Sequence, residues 1–161
     1  MTRPEFNIFS EKVRAKLLVV AGKTGMAETS AEDIVQEALV TLWRLSEEGY
    51  PIRDAEGLAV RITRNLAAAR FRRQKLKLTE LTEMEGGEEA TSRTDAGDRK
   101  MIRERLYGSL TATQRKYLEL RNELGLSLDE IAETTGRPKS SIKTSISTAR
   151  KQMLEQLKKE L

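Results

Sequence analysis

Neither cysteine nor histidine occurs in this 161-residue chain. The absence of cysteine excludes disulfides, thiol catalysis and zinc–thiolate sites. The absence of histidine removes the commonest metal ligand and the usual general base near neutral pH. An enzyme built from this sequence would have to rely on carboxylates, lysines or hydroxyl groups. We therefore expect no catalytic residues, no metal and no cofactor.

Aromatic residues and long apolar runs are also scarce. Phe, Trp and Tyr together make up 4% of the chain, which argues against an aromatic-rich β-sandwich. No segment approaches the roughly 20 consecutive apolar residues of a membrane-spanning helix. The first residues, MTRPEFNIF, lack the apolar stretch of a signal peptide. We expect a cytoplasmic protein that does not insert into membranes.

Helical periodicity, in contrast, covers most of the chain. In three segments before residue 76, apolar residues recur at steps of three and four, as on one face of an amphipathic helix. Ser30 and Asp54 are expected to cap the second and third of these helices. Because short loops join the helices, residues 1–76 are predicted to form a small three-helix bundle.

The next stretch, residues 77–100, is acidic and lacks a sustained apolar stripe. This composition is typical of a flexible linker. Helical signals return over residues 101–161, where two capping boxes mark helix starts. These boxes pair Thr111 with Gln114 and Ser127 with Glu130. The predicted fold is all-α, with two small helical domains joined by a flexible acidic linker.

The second domain contains the pattern of a helix-turn-helix. A short helix beginning at Ser127 is followed by Gly136, which can adopt the positive φ of the turn. The next helix carries polar side chains opposite Ile142 and Ile146, and hydroxyls and cations at such a helix can contact DNA in the major groove. An ordinary helical hairpin with a solvated basic face is the alternative interpretation. The polar side chains are Lys143, Thr144, Ser147 and Arg150.

Basic side chains are concentrated in the third helix, in the segment RITRNLAAARFRRQKLK. This density favours contact with a nucleic-acid backbone, where each neutralised phosphate makes a salt-dependent contribution to binding. A solvated helix face is the alternative. Phe71 is expected to pack at the end of this helix.

The second helix has an acidic face. Asp33 and Glu37 lie four residues apart and therefore share one side of the helix, with Gln36 beside them. Carboxylates can bind magnesium, but no matching carboxylate set occurs on another periodic helix. We therefore interpret this face as a docking surface for a protein partner.

Three segments together resemble one family. AEDIVQEALVTLWR (31–44) resembles the polymerase-clamp-binding region of the extracytoplasmic-function (ECF) group of the sigma-70 family. RITRNLAAARFRRQ (61–74) resembles that family's promoter-melting helix, and residues 110–154 resemble its C-terminal helix-turn-helix domain. The segments occur in the family's order and cover most of the chain.

The resemblance implies an alternative sigma factor rather than an enzyme. Such a protein binds core RNA polymerase, recognises the minus-ten and minus-thirty-five promoter elements and promotes transcription initiation. Asp33, Gln36 and Glu37 match the surface that docks on the β′ clamp helices. The β flap, promoter DNA and an anti-sigma factor are the other expected partners. The loop 46–54 matches the segment that captures a flipped minus-ten base.

The resemblance also assigns DNA-binding residues to both domains. The minus-ten set is Arg61, Arg64, Asn65, Arg70, Arg72 and Arg73. The minus-thirty-five set is Lys139, Ser140, Ser141, Lys143, Thr144, Ser147, Thr148 and Arg150.

Two other interpretations stay open at this point. A stand-alone helix-turn-helix regulator would bind a palindromic duplex site without polymerase. A sigma-like decoy would bind an anti-sigma factor without directing transcription.

Overall fold

The structure is a computed structural model that describes residues 1–23, 28–83 and 96–160. These residues form seven α-helices and one π-helical turn, and no β-strand occurs among them. The elements are α1 (Arg3–Gly22), α2 (Glu28–Glu47), α3 (Ala55–Glu83), α4 (Ala96–Tyr107), α5 (Ala112–Leu118), the π turn (Glu119–Glu123), α6 (Leu128–Thr135) and α7 (Lys139–Glu160). The prediction of an all-α fold is confirmed.

The first three helices form a bundle in which each packs against the other two. Their apolar stripes meet at the centre, where Leu17, Ile34 and Leu58 are fully buried. Burying such a side chain contributes about 1.5–3 kcal/mol, so this shared core holds the bundle together. At its edge the ring of Trp43 lies 5.0 Å from that of Phe6, which fixes α2 against α1.

The starts of these helices follow local hydrogen-bonding rules. Thr2 and Glu5 form a capping box at the start of α1. The carboxylate of Asp54 accepts a hydrogen bond from the Gly57 N–H at 3.0 Å, which confirms the predicted cap of α3. The prediction for Ser30 is wrong, because α2 already begins at Glu28 and Ser30 lies inside its first turn.

The C-terminal helices pack around α7, which contacts α4, α5 and α6. Both predicted capping boxes are present, at the starts of α5 and α6. Gly136 ends α6 with a φ of 71°, a left-handed conformation that glycine adopts without steric cost. The chain then turns into α7, whose Ile142 and Ile146 are buried against the neighbouring helices.

The connection between the two domains contains more helix than its composition indicates. Helix α3 continues to Glu83, and α4 begins at Ala96. Both ends of the predicted linker 77–100 are therefore helical, whereas residues 84–95 lie outside the described residues. Leu, Lys, Gln and Glu in the last turns of α3 have high helix propensities, so the helix persists there although its side chains from Phe71 to Leu81 are exposed.

Candidate nucleic-acid and polymerase interfaces

Helix α7 has a polar outer face along its first three turns. The buried side chains Ile142, Ile146 and Ala149 turn the opposite face towards the domain core. Lys139 forms an ion pair with Asp129 at 3.0 Å, and Arg150 donates a hydrogen bond to Asn122 at 3.5 Å. The predicted minus-thirty-five residues are all exposed: Lys139, Ser140, Ser141, Lys143, Thr144, Ser147, Thr148 and Arg150.

A groove of about 430 Å³ runs beside this face, between α7 and the π turn. Cationic side chains border it above an apolar floor. The cations are Arg121, Lys143, Arg150 and Lys151. Sequence reasoning missed Arg121 and Lys151. The helical step of four from Ser147 could have identified Lys151, whereas Arg121 reaches the groove only because the π turn packs beside α7.

The predicted minus-ten residues on α3 fall into three environments. Arg61, Arg64 and Asn65 face α6 and the π turn of the other domain. Arg70 forms an ion pair with Glu37 on α2 at 3.1 Å. Arg72 and Arg73 are exposed at the border of a cleft of about 490 Å³ between α3 and the π turn. The expectation for Phe71 is wrong, because its side chain is 46% exposed and lies outside the core.

Arg61 of α3 makes several polar contacts with α6. Its side chain is only 16% exposed. It donates to Thr134 Oγ1 at 2.8 Å, approaches a Glu130 carboxylate oxygen at 3.3 Å and also pairs with Glu133. Arg64 donates to the same Glu130 oxygen at 2.7 Å. Two arginines of one domain thus share one carboxylate of the other.

A second charged cluster joins the end of α2 to the π turn. Glu119 accepts a hydrogen bond from Arg44 at 2.5 Å and another from the Tyr50 hydroxyl. Lys116 lies 5.5 Å above the Tyr50 ring and donates to the Gly49 carbonyl at 3.2 Å. No sequence pattern pointed to this cluster, since Arg44 and Glu119 are 75 residues apart.

These contacts alter the pKa values of two groups. Burial raises the pKa of Tyr50 well above its ordinary value, and the hydrogen bond to Glu119 raises it further. Burial alone would raise the pKa of Glu130, but hydrogen bonds from Arg64 and the Ser127 N–H lower it below its ordinary value of 4.5. Tyr50 therefore stays a hydrogen-bond donor near neutral pH, and Glu130 stays an anion.

The acidic face of α2 is exposed as the sequence indicates. Asp33, Gln36 and Glu37 point outward, while Ile34 and Ala38 are buried in the bundle. The carboxylate of Glu37 is half exposed and carries the ion pair with Arg70. This face joins acidic and amide side chains on a rigid helix, which suits docking of a protein surface.

Neither a metal centre nor a membrane span emerges from the residues that the structure describes. Among them, no three or more acidic side chains come together in a group that could hold a metal ion. Over the same residues, no helix combines the length and apolar character needed to cross a bilayer.

Comparison with family models identifies both domains. The model for sigma-70 region 2 matches residues 11–77, and the model for sigma-70 region 4 matches residues 104–153. The chain belongs to the sigma-70 family. As a sigma factor it acts in transcription initiation, with RNA polymerase and promoter DNA as its partners.

A search of curated proteins finds no match. Among solved structures, the chain is similar to the co-crystal structure of the sigma factor RpoE in complex with the anti-sigma factor NepR from Bartonella quintana. The two are 22% identical, the match covers 96% of this chain and 97% of that chain, and the TM-score is 0.44.

The two matched regions of this sigma factor correspond to its two groups of packed helices. The region 2 match covers most of α1, all of α2 and the part of α3 that carries the basic residues. The region 4 match begins in α4 and ends within α7. The groove beside α7 and the contacts of Glu130 therefore belong to region 4, and the acidic face of α2 belongs to region 2.

Proposed function

We propose that this sigma factor is of the ECF type, with residues 1–76 binding polymerase and the minus-ten element and residues 101–161 binding the minus-thirty-five element. Residues 77–100 would connect the two. The observation that carries the proposal is the occurrence in one chain of an exposed polar face on α7 and a basic α3. In this proposal the protein is a cytoplasmic specificity subunit that associates reversibly with RNA polymerase and has no enzymatic activity of its own.

Helix α7 is the proposed reader of the minus-thirty-five element. An α-helix fits the major groove, and its exposed hydroxyls and cations can donate hydrogen bonds to base edges and phosphates. The exposure of Lys143, Thr144 and Ser147 supports this role. Lys151 and Arg121 extend the cation row, and we add them as phosphate contacts.

Helix α3 is the proposed contact for minus-ten DNA. Arg72 and Arg73 are exposed and not engaged in the ion pairs that hold Arg61 and Arg64. The nearby loop 46–54 would hold a flipped base. Extracting a base from the stack costs a few kcal/mol, so a pocket that retains it stabilises the open promoter without an energy source.

The acidic face of α2 is the proposed site for core polymerase. Asp33, Gln36 and Glu37 would dock on the β′ clamp helices, and region 4 would contact the β flap. Support comes from the exposure of the three side chains on a helix anchored by a fully buried core. An anti-sigma partner stays a prediction of the family resemblance.

In vitro transcription tests the proposal. Purified bacterial core polymerase is combined with this protein and a genomic-fragment library from its source. We expect discrete start sites that require the protein and that share two upstream motifs. Core binding without transcripts would favour the decoy interpretation. Absence of both would favour a stand-alone helix-turn-helix regulator.

A further inference from the structure

The cleft of about 490 Å³ between the middle of α3 and the π turn has the size of a small-molecule site. Such sites are typically about 300–1,000 Å³, with an apolar lining and a few polar groups that orient the ligand. We call it the α3 cleft. The proposed DNA contacts account for the arginines at its rim but not for its interior.

The α3 wall of the cleft is apolar inside and cationic at the rim. Ile62, Leu66, Ala69 and Arg73 follow one another at steps of four, three and four, which places them on one face of the helix. The short side chain of Ala69 leaves space between the apolar part and the rim. Arg72 adds a second guanidinium group beside that of Arg73.

The opposite wall is the end of the π turn, and it is polar. Asn122 and Glu123 line the cleft there, next to Gly125. The Asn65 side-chain amide donates to the Leu124 carbonyl at 2.7 Å and so fixes the turn against α3. A Cβ at Gly125 would lie 3.4 Å from the Asn65 amide nitrogen, so glycine allows this close approach. Irregular π turns of this kind occur frequently at functional sites.

The rim favours a ligand that carries more than one phosphate. Arg72 and Arg73 are both exposed, and within the described part of the chain neither takes part in an ion pair, in contrast to Arg64 and Arg70. Guanidinium groups bind phosphate oxygens through paired, charge-assisted hydrogen bonds. Two neighbouring guanidinium groups can therefore hold two phosphates of one chain.

The interior of the cleft favours a sugar and a ring attached to these phosphates. An apolar surface gives no hydrogen bonds to a phosphate chain, whereas it can cover the flat face of a base. The Glu123 carboxylate repels phosphate but accepts hydrogen bonds from sugar hydroxyls, as acidic residues do at ribose. The Asn122 amide beside it both donates and accepts. The two walls thus set one orientation of the ligand.

We infer that the α3 cleft binds a phosphorylated nucleoside: Arg72 and Arg73 hold its phosphates, Asn122 and Glu123 face its sugar hydroxyls, and the apolar part of α3 covers its base. This site goes beyond the proposed function. Since the same two arginines are the proposed contacts for promoter phosphates, the nucleotide and minus-ten DNA compete for them. A soluble nucleotide would in this way control promoter binding.

Isothermal titration calorimetry of the full chain tests the site, with ATP, GTP, adenosine and tripolyphosphate as the probes. We expect ATP or GTP to bind at one site, about tenfold or more tightly than adenosine and tripolyphosphate, since each of these lacks one part of the recognised ligand. The inference is overturned if neither nucleotide binds. It is also overturned if tripolyphosphate binds as tightly as the nucleotides, because the rim would then attract any polyanion.

A pair of arginine variants separates the site from general electrostatic attraction. Arg72→Ala with Arg73→Ala should weaken nucleotide binding by about tenfold or more, since charged hydrogen bonds to phosphate are lost. Arg3→Ala with Arg14→Ala is the matched control, because it removes the same charge from exposed positions on α1. We expect the control to change the affinity less than about twofold, since salt screens distant exposed charges. Equal losses in the two variants would contradict the site.

Two further variants keep both rim arginines and alter the interior. Ala69→Leu fills the space between the walls, and Asn122→Ala, at an exposed position, removes the amide. Circular dichroism checks that each variant folds. Both should weaken nucleotide binding, and wild-type affinity in the folded variants would refute the assigned orientation. These titrations contain neither DNA nor polymerase, so their outcome is independent of the proposed function, which the transcription assay tests separately.

Discussion

The acidic face of α2 gives the sharpest test of polymerase binding. The variant replaces Asp33, Gln36 and Glu37 with alanine. All three side chains are exposed, so their loss removes no core contact. Glu37 forms an ion pair with Arg70 at 3.1 Å, and because this pair is half exposed it is worth about 0.2–1 kcal/mol. We therefore expect the free energy of unfolding to fall by no more than about 1 kcal/mol.

Binding to core polymerase should change far more than stability. A docking residue at the edge of an interface contributes less than about 1 kcal/mol, and a central one contributes about 2 kcal/mol or more. One central and two peripheral contacts give a loss of about 2–3 kcal/mol, or roughly 30-fold to 150-fold in Kd. The assay is competition between labelled wild-type protein and each variant for a limiting amount of core polymerase.

The matched control is Glu47→Gln. Glu47 is exposed on the same helix and lies ten residues beyond Glu37, about 15 Å along the helix axis. We expect its affinity for core polymerase to match the wild type. The reasoning is refuted if the triple variant binds as tightly as wild type, or if Glu47→Gln weakens binding to the same extent.

Four further predictions follow from individual contacts. Arg72→Ala with Arg73→Ala should lower promoter affinity of the holoenzyme and flatten the slope of log affinity against log salt by about one unit per lost phosphate contact; an unchanged slope in a salt titration would count against these contacts. Ser127→Ala removes the cap of α6, so the free energy of unfolding measured in urea should fall by about 1 kcal/mol. Ser141→Ala, at an exposed position, is the control. An equal effect of the two substitutions would argue against capping as the cause. Leu42→Ala should lower the free energy of unfolding by about 2–5 kcal/mol because Leu42 is only 1% exposed. Val40→Ala, at a position that is 62% exposed, should lower it by less than about 0.5 kcal/mol. Similar thermal shifts of the two variants would disprove this difference. Contacts in the folded protein lower the pKa of Glu130, so the stability that its carboxylate contributes is present above pH 4.5 and is lost as the pH falls below that value. Below pH 4.5 the free energy of unfolding should therefore fall less for Glu130→Gln than for the wild type. An equal fall for the two proteins would contradict the assignment.

Local sequence patterns were enough to predict most helices and caps. The capping box of Ser127 and Glu130 depends on residues three apart, and the left-handed Gly136 depends on the lack of a Cβ. The predicted cap at Ser30 was wrong because α2 already begins two residues earlier, at Glu28. Such boundary errors arise because several nearby residues can satisfy the same backbone groups.

The faces of the helices were also predictable, since period 3.6 separates buried from exposed positions. It identified the outward positions of Glu37 on α2 and of Lys143 on α7, although each is next in sequence to a buried residue, Ala38 or Ile142. It could not predict that two arginines on α3 lie in different environments. Arg61 forms an ion pair with region 4, whereas Arg72 is exposed to solvent, although both are arginines of the same helix.

Sequence patterns alone indicated an all-α sigma factor with a basic third helix, a polar outer face on α7 and an acidic face on α2. Each of these features is encoded by residues within a few turns of one another. The contacts of Glu119 with Arg44, 75 residues away, and of Glu130 with Arg61, 69 residues away, emerged only from the packing of the helices. The physical reason is that periodicity states which side of a helix is polar, while the partner of that side depends on how separate helices pack in space.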